Sequence, residues 1–499
     1  MSNRIRPCLA TKKEICGGII FSEMLQRAEV TNDPVCAVAG HGPVLTVAHT
    51  KYIELFRYEE HHGWQFKCAK EIQYPPERIQ IKCNSPTMHS GSNDGDHCII
   101  AYSYDSKIMI LRVIGDEFFE EDSHDFDPSR AKRPISTYSS SSIGSSVPLR
   151  VEHLRFIGTQ LMGVSERSEN IAFWNTKRRG KWQQQKLEDT ILCLESVSTF
   201  VYMGCDSGRI HFTDLEKFPL RTKDNSLLVT ELYTDPMKEP ITALAVSYDR
   251  NPTQEKHYDW ETLELCYGTR EGTVRVVVQS PGFNKFGLRS LQLLQTYKVH
   301  CSPITNVALS GRFLISVCAS NHVRTWAMTR FRGTLSTQPG SAPFANFHLT
   351  TTQTSPSLPS SIKCGPYGDV GNSDETQIFC QLPMQLSDTL LVRAADKGAR
   401  IGTLTSVNGS PITTFLSHDF ESLPRMGLKP FRLVMTGHLD GSVQVWDLTK
   451  PLEQYQMPQN MLNPNNSTTG GDITTQELIE IAQKADEAKI ALTKVAHSS

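Results

Sequence analysis

The sequence predicts an all-β fold built from repeated antiparallel hairpins, and three observations carry this prediction. One template hairpin places alternating apolar residues between the turn Asp440-Gly441 and the pair Trp446-Asp447. The same spacing recurs along the chain, and a short proline-led strand precedes several of the copies. Hairpin units of this kind bury their faces only against their neighbours. Together these observations predict a single WD40-like β-propeller of seven or eight blades, followed by a C-terminal α-helix.

The hairpin copies share a tight turn and apolar residues on one strand face. Asp-Gly supplies the positive φ angles of such a turn, and alternate residues of a strand point to one side. Clear copies run over 163–175, 204–214, 268–278 and 317–327, and weaker ones lie near Ile53, Ile108 and Gly398. The residues predicted to mark the blades are Trp174, Asp214, Trp326, Asp440, Trp446 and Asp447.

Three similar segments precede hairpins: "EPITALAV" at Pro240, "SPITNVAL" at Pro303 and "SPITTFLS" at Pro411. Proline and the residue before it disfavour helix. We therefore predict that each segment is the innermost strand of a blade. A β-sandwich, or two smaller β domains, is the alternative architecture.

Composition suggests where the domain is interrupted. We expect the propeller over residues 31–455, after an N-terminal segment at 1–30. Two polar stretches, at about 116–148 and 335–375, offer little apolar surface to bury. Such composition is typical of disordered insertions or long blade connections.

After the propeller we predict a flexible linker at 456–471 and a helix at 472–496. Thr474 and Glu477 fit a capping box. Apolar residues then follow at spacings of three and four, as in a short heptad seam: Leu478, Ile481, Ala485, Ala488, Leu492 and Val495. The helix either docks on the propeller, frays in solvent, or pairs with a helical partner.

The formal net charge of -2 argues against a dedicated binder of nucleic acid or anionic membranes. The thirteen cysteines, among them Cys83, Cys98, Cys205 and Cys318, are scattered and never spaced as C-x-x-C. Buried thiols in a reducing compartment explain this pattern. Because the N-terminus has no signal-peptide core and no apolar run approaches ~20 residues, we expect a cytoplasmic protein without membrane insertion.

The sequence has no phosphate-binding, zinc-protease or nucleophile-elbow motif. The segment "EEHHG" at 59–63 gathers acids and imidazoles, but adjacent strand residues point to opposite faces, so a hairpin is the better interpretation. We therefore predict no catalytic, cofactor-binding or metal-binding residues, no cofactor, and no enzyme activity. An enzyme with its site in the propeller channel is the alternative.

Three arginines in "VRTWAMTRFRG" are the predicted protein-binding residues: Arg324, Arg330 and Arg332. Arginines where a strand leaves for a loop can pair with acidic segments of a partner. Structural salt bridges at the blade edge are the alternative.

Four stretches are more distinctive than blade periodicity requires: "EKFPLRTKDNSLLVTELYTDP" from Glu216, "CYGTREGTVRVVVQSP" from Cys266, "LISVCASNHVRTWAMTRFRGTLSTQPGSAP" from Leu314, and "FRLVMTGHLDGSVQVWDL". Together they resemble the WD40 portion of the KCTD-type BTB proteins, in the subfamily of the ion-channel-associated member and the SH3-adaptor-binding protein. The resemblance implies a non-catalytic scaffold or adaptor for other proteins. It links that role to receptor trafficking, substrate recruitment to a ubiquitin ligase, or ion-channel regulation.

Two departures from the family limit what the resemblance implies. About ten residues precede "TKKEIC", which resembles the joint after the family's BTB domain, so we expect that domain to be absent. A shortened isoform or gene model, or loss in this lineage, would explain this. Cullin-3 recruitment is then not expected, and a BTB-less competitor of full-length relatives becomes a further alternative. The SH3-binding motif P-x-x-x-P-R is missing, since Phe420 stands in the first proline's place before Pro424-Arg425.

Overall fold

The computed structural model describes most of the chain and divides it into two compact units. Unit 1 comprises Met1–Leu9, Glu23–Ile191 and Thr413–Val445, and unit 2 comprises Ala10–Ser22, Leu192–Ile412 and Trp446–Ser499. The described residues are 14–15, 19–83, 97–127, 150–165, 170–178, 180–197, 199–215, 229–248, 263–283, 289–309, 313–320, 322–327, 330–331, 334–335, 343–348, 365–367, 378–384, 386–394, 399–420, 431–456 and 474–498.

The described strands form eight sheets of four or five antiparallel strands, which are the blades of an eight-bladed β-propeller. The prediction of a β-propeller with a C-terminal helix is therefore confirmed, with eight blades rather than seven.

Three blades lie in unit 1. Their strands are β3 (Val35–His41), β4 (Val44–His49), β5 (Tyr52–Glu59) and β6 (Gly63–Glu71); β7 (Arg78–Cys83), β8 (His97–Tyr104), β9 (Lys107–Ile114) and β10 (Glu117–Asp125); and β11 (Val151–Ile157), β12 (Gln160–Ser165), β13 (Asn170–Asn175) and β14 (Gln183–Lys186). In each blade the strands are hydrogen-bonded in chain order from one sheet edge to the other.

Another blade combines strands from both ends of the chain. Its members are β1 (Glu14–Ile15), β2 (Ile19–Leu25), β33 (Ile412–Phe420), β34 (Phe431–His438) and β35 (Val443–Asp447). The sheet order is β1-β2-β35-β34-β33, so an N-terminal strand pairs with the last strand of the chain. A short 3-10 helix at Ala28–Val30 follows β2.

Four blades lie in unit 2. Their strands are β15 (Ile191–Val197), β16 (Phe200–Cys205), β17 (Arg209–Asp214) and β18 (Val229–Thr234); β19 (Ile241–Tyr248), β20 (Leu263–Thr269), β21 (Thr273–Phe283) and β22 (Arg289–Lys298); β23 (Ile304–Leu309), β24 (Phe313–Cys318), β25 (His322–Ala327) and β28 (Pro343–His348); and β29 (Gly365–Tyr367), β30 (Ile378–Gln381), β31 (Thr389–Ala394) and β32 (Arg400–Thr405). A separate hairpin joins β26 (Arg330–Phe331) and β27 (Thr334–Leu335).

Neighbouring blades bury their faces against each other within each unit. In unit 1, Ile53 and Leu55 of β5 share an apolar cluster with Ile100 and Leu111 of the next blade. In unit 2, Val276 of β21 belongs to a cluster that continues into the following blade. This pattern explains the predicted repeat, because the apolar face of a blade is buried only when a second blade covers it.

The proline-led segments begin strands β19, β23 and β33, each at one edge of its sheet. Two stretches predicted as disordered insertions contain strands instead. β10 lies within 116–148, where Phe118 packs on the apolar cluster of unit 1 and Glu121 pairs with Arg112. β28 and β29 lie within 335–375 and pair with β25 and β30. These strands form because the edge of a neighbouring strand satisfies their backbone N–H and C=O groups.

The cysteine prediction needs one correction. Cys83 and Cys98 are opposite each other on β7 and β8, with Cα atoms 4.1 Å apart, and form a disulfide. The eight other described cysteines are thiols, and six of them are buried. The pairing weakens the argument for a reducing compartment. No helix in the described part of the chain is both long and apolar enough to cross a bilayer.

Two α-helices follow the last strand. α1 (Thr449–Gln456) was not predicted, whereas α2 (Thr475–Ser498) closely matches the helix predicted at 472–496. The predicted capping box is formed: the Glu477 backbone N–H donates to Thr474 Oγ1 (3.2 Å), and the Thr474 N–H donates to Glu477 Oε2 (2.8 Å). The predicted linker at 456–471 lies almost wholly outside the described residues.

Candidate protein-interaction site

The three predicted blade tryptophans are buried, and their role is packing. Trp174, Trp326 and Trp446 are at most 1% exposed. The Trp326 ring stacks on Tyr297 with centroids 4.9 Å apart, and the Trp446 ring meets Phe21 edge-on at 5.4 Å. Large aromatic side chains of this kind dominate the energetics of a core.

The predicted aspartates stabilise turns. Asp440 Oδ1 accepts hydrogen bonds from the backbone N–H (3.0 Å) and hydroxyl (2.7 Å) of Ser442. Asp447 Oδ1 accepts from the Thr449 N–H at 2.9 Å, and Asp214 from the Thr199 hydroxyl at 3.5 Å. These are the local side-chain-to-backbone and side-chain contacts that favour aspartate in turns.

The segment 59–63 forms a hairpin turn between β5 and β6, as predicted. Glu59 Oε1 accepts from Lys67 Nζ at 2.7 Å, and Glu59 Oε2 lies 3.6 Å from His62 Nδ1. The lysine hydrogen bond and charge hold the pKa of the Glu59 carboxyl below its usual value. The Glu59 carboxylate therefore stabilises the turn through ion pairs with Lys67 and His62.

The structure does not group the three predicted binding arginines into one described site. Arg324 is the third residue of β25 and is half-buried. Arg330 lies in the separate hairpin strand β26, of which only the backbone is described, and Arg332 lies outside the described residues. Of the three arginines, Arg324 is therefore the one whose side-chain surroundings the structure describes.

The preceding blade has an arginine, Arg275, at the same strand position. Arg275 is the third residue of β21 and is opposite Tyr267 on β20. Its Nη1 lies 2.5 Å from Asp235 Oδ1 and 3.1 Å from Glu239 Oε2. Both acids belong to the connection that leads into β19. The buried guanidinium is therefore neutralised within the chain, as a buried charge requires.

Arg324 occupies the corresponding position one blade later. It is opposite Ser316 on β24, as Arg275 is opposite Tyr267 on β20. The connection into β23 also corresponds to the one into β19: the His300 N–H donates to Gly272 O (3.4 Å), and the Asp235 N–H donates to Gly208 O (2.8 Å).

The acids of the preceding blade are replaced in this connection. His300 stands where Asp235 stood, and Ser302 precedes Pro303 as Glu239 precedes Pro240. His300 Nε2 and Ser316 Oγ share a hydrogen bond of 2.7 Å, and the Ser302 and Ser320 hydroxyls are hydrogen-bonded to each other. Among the described residues, this connection therefore places hydroxyls and an imidazole where the preceding blade has carboxylates.

The electrostatics of this cluster are positive. Burial is the main cause that lowers the pKa of His300 to about 4, and the electrostatic influence of Arg324 and His322 contributes to the same shift. His300 is only 5% exposed, so its ring stays neutral at physiological pH. Arg324 Nε is buried, and none of the described residues accepts a hydrogen bond from it.

The sequence reasoning missed His300 and His322 as neighbours of Arg324. A comparison of the two connections would have found the first, because His300 stands before "SPITNVAL" where the acid Asp235 stands before "EPITALAV". His322 is the first residue of β25, so it points to the same strand face as Arg324. We call the exposed area formed by Arg324, His322 and Ser302 the Arg324 surface.

Comparison with known proteins identifies relatives of the whole propeller. The family model described as SHKBP1/KCTD3 C-terminal beta-propeller matches residues 34–485. SH3KBP1-binding protein 1 of Bos taurus is 34% identical over 92% of this chain and 59% of its own length. BTB/POZ domain-containing protein KCTD3 of Homo sapiens is 35% identical over 91% of this chain and 51% of its own length. The chain thus spans between half and three-fifths of these relatives.

A solved structure supports the fold alone. The structure of Saccharomyces cerevisiae Sqt1 aligns with a TM-score of 0.51, at 10% identity, over 84% of this chain and 96% of that one. Identity this low carries no information on partners.

Proposed function

The chain belongs to the SHKBP1/KCTD3 C-terminal β-propeller family, and from this premise we propose that it is a non-catalytic scaffold that binds other proteins. The family match, which extends over nearly all of the described propeller, carries the proposal. One relative is itself named for binding the protein SH3KBP1. A rigid propeller with buried blade interfaces suits this role, since preordered loops lose little entropy on binding.

The pathway belongs to the same proposal. We place the partners in receptor trafficking, ubiquitin-ligase substrate recruitment or ion-channel regulation, and the protein in the cytoplasm. The resemblance to the KCTD-type proteins supports these assignments. Direct binding of an SH3 domain is not part of the proposal, because the chain has no P-x-x-x-P-R motif; the segment around Pro424-Arg425 lies outside the described residues. Binding of cullin-3 is not proposed either.

Affinity capture followed by reconstitution tests the scaffold function. The full chain would be immobilised and the proteins it retains from cell extract identified by mass spectrometry. Each candidate would then be purified and its binding measured by isothermal titration calorimetry. We expect at least one partner with saturable binding and defined stoichiometry. Failure of every purified candidate to bind would contradict the proposal.

The channel-enzyme alternative has a separate test. A ligand that binds only the folded state raises the midpoint of thermal unfolding. We expect no metabolite or metal in a broad thermal-shift screen to raise it. A reproducible increase, together with turnover of that compound, would favour the enzyme.

A further inference from the structure

Two charged residues at the third position of a blade strand, Glu54 and Arg275, are each paired with an opposite charge from another segment of the chain. In unit 1, Glu54 of β5 lies 3.0 Å from Arg27 Nη1. In unit 2, Arg275 of β21 lies 2.5 Å from Asp235. In both cases the partner comes from the segment that leads into a blade. In these two blades the chain itself therefore supplies the counter-charge at this position.

Arg324 differs from both Glu54 and Arg275. No carboxylate among the described residues forms an ion pair with it, and its buried Nε lacks an acceptor there. The residues that take the places of Asp235 and Glu239 are His300 and Ser302. A half-buried cation without a counter-charge costs free energy that an anion can recover.

We propose that the Arg324 surface binds an acidic segment of a partner protein, whose carboxylate or phosphate oxygen takes the place that Asp235 has beside Arg275. The inference rests on the proposed scaffold function and names the chemistry of the partner. A guanidinium donates to carboxylate or phosphate in a fork of parallel hydrogen bonds. The Ser302 hydroxyl and the His322 ring add donors at the exposed rim, since Ser302 is half-buried and His322 is exposed.

The chemistry favours an acidic protein over nucleic acid. A nucleic-acid backbone is bound through several phosphate contacts spread along a basic surface. Here one arginine lies beside two imidazoles, and the whole chain has a net charge of -2. A single carboxylate or phosphate group matches a site of this charge.

Binding of labelled peptides tests the proposal directly. The full chain would be titrated against fluorescein-labelled hexaglutamate, the same peptide with a central phosphoserine, and hexaglutamine, with binding followed by fluorescence anisotropy. We expect both acidic peptides to bind and hexaglutamine not to bind. Arg324→Gln should weaken binding about tenfold, the effect of losing a charge-assisted contact. The matched control is Arg270→Gln, which removes an exposed arginine from the adjacent blade and should leave affinity unchanged.

A second variant supplies the missing acid within the chain. Ser302→Glu places a carboxylate at the half-buried position that corresponds to Glu239 in the preceding blade. We expect Ser302→Glu to fold, to raise the thermal midpoint slightly, and to lose peptide binding as Arg324→Gln does. His300→Asp would imitate Asp235 more closely, and its expected result is the same.

Four other outcomes would contradict the proposal that the Arg324 surface binds an acidic protein segment. Unchanged binding by Arg324→Gln or Ser302→Glu would place the acidic peptide elsewhere. If inorganic phosphate saturates the site while neither peptide binds, the ligand is a free anion and not a protein segment. If single-stranded DNA binds more tightly than the peptides, the ligand is a nucleic acid. If peptide binding fails while Arg324→Gln still retains the same purified partners, this inference is wrong and the scaffold function stands.

Discussion

Arg275 and Asp235 form a buried ion pair in unit 2, with Nη1 and Oδ1 2.5 Å apart and side chains at most 5% exposed. Asp235 also accepts a 2.6 Å hydrogen bond from the Tyr267 hydroxyl. Burial, together with this bond to a carboxylate, raises the pKa of Tyr267. The Met237 and Glu239 backbone N–H groups donate to the other oxygen of Asp235. One carboxylate thus joins two strands and the connection that precedes them.

Asp235→Asn should destabilise the protein strongly. Removing one member of a buried pair leaves the other charge uncompensated, which costs about 3–5 kcal/mol. Chemical unfolding with urea measures the loss. Glu152→Gln is the control, because it breaks an exposed ion pair with Arg78 and should cost less than ~1 kcal/mol. Similar losses in the two variants would show that Asp235 is not the centre of the network.

Gly441→Ala should destabilise the hairpin that ends in Trp446. Gly441 has φ +83°, and a Cβ there would lie 2.2 Å from the Val30 carbonyl oxygen, a backbone atom that cannot rotate away. Gly409 also has a positive φ, +72°, but a Cβ would meet nothing within 4 Å. Gly409→Ala should therefore cost only the left-handed backbone strain of ~1–2 kcal/mol, and Gly441→Ala more than that. Equal decreases in the thermal midpoint of the two variants would show that the backbone around residue 441 moves to accommodate the added Cβ.

The contrast between these hairpins and the binding site shows what the sequence can and cannot predict. The turn at Gly441 was predicted because turn type, strand alternation and the following tryptophan are local. β10 was missed because most of its residues are polar, and both β10 and β28 become strands only through pairing with β9 and β25. The surroundings of Arg324 were missed for a related reason: His300 is distant in sequence, and it comes near Arg324 only when the connection into β23 folds against the blade that contains β24 and β25.

Glu23→Gln should change the pH dependence of stability. Burial raises the pKa of Glu23 to about 7, although a hydrogen bond from the Trp64 N–H, 3.1 Å long, lowers it. The folded protein therefore binds a proton that the unfolded chain, with a pKa near 4.5, has released. By linkage, the contribution of Glu23 to stability is complete below pH 4.5 and is lost as the pH rises to about 7.

Glutamine keeps an acceptor for Trp64 and cannot ionise, so Glu23→Gln should become more stable relative to the natural protein as the pH rises through this range, and the difference should then stay constant. Urea unfolding at a series of pH values measures it. Glu59→Gln is the control: the pKa of Glu59 is lowered, so its effect changes only at acidic pH. A pH-independent difference for Glu23→Gln would contradict the raised pKa.

Ile481→Asp should detach helix α2 from the rest of unit 2, because Ile481 is 8% exposed and packs with Ala485 against Met384. Two ion pairs flank this contact: Lys484 Nζ with Asp388 (2.9 Å) and Arg400 Nη1 with Glu477 (3.1 Å). Pairs with an exposed member contribute little alone, so the small apolar cluster holds the helix in place. In proteins most of the stability of a helix comes from packing of its apolar face against the rest of the fold.

We therefore expect amide hydrogen exchange across α2 to accelerate about tenfold or more in Ile481→Asp, which corresponds to a local loss of at least ~1.4 kcal/mol. Ile479→Asp is the matched control, since Ile479 is two residues away on the same helix and 44% exposed. Its exchange should stay close to that of the natural protein. Equal protection from exchange in both variants would mean that the capping box and the ion pairs hold α2 in place without the apolar cluster. Fast exchange in the natural protein would favour a helix that becomes ordered only when it binds a helical partner.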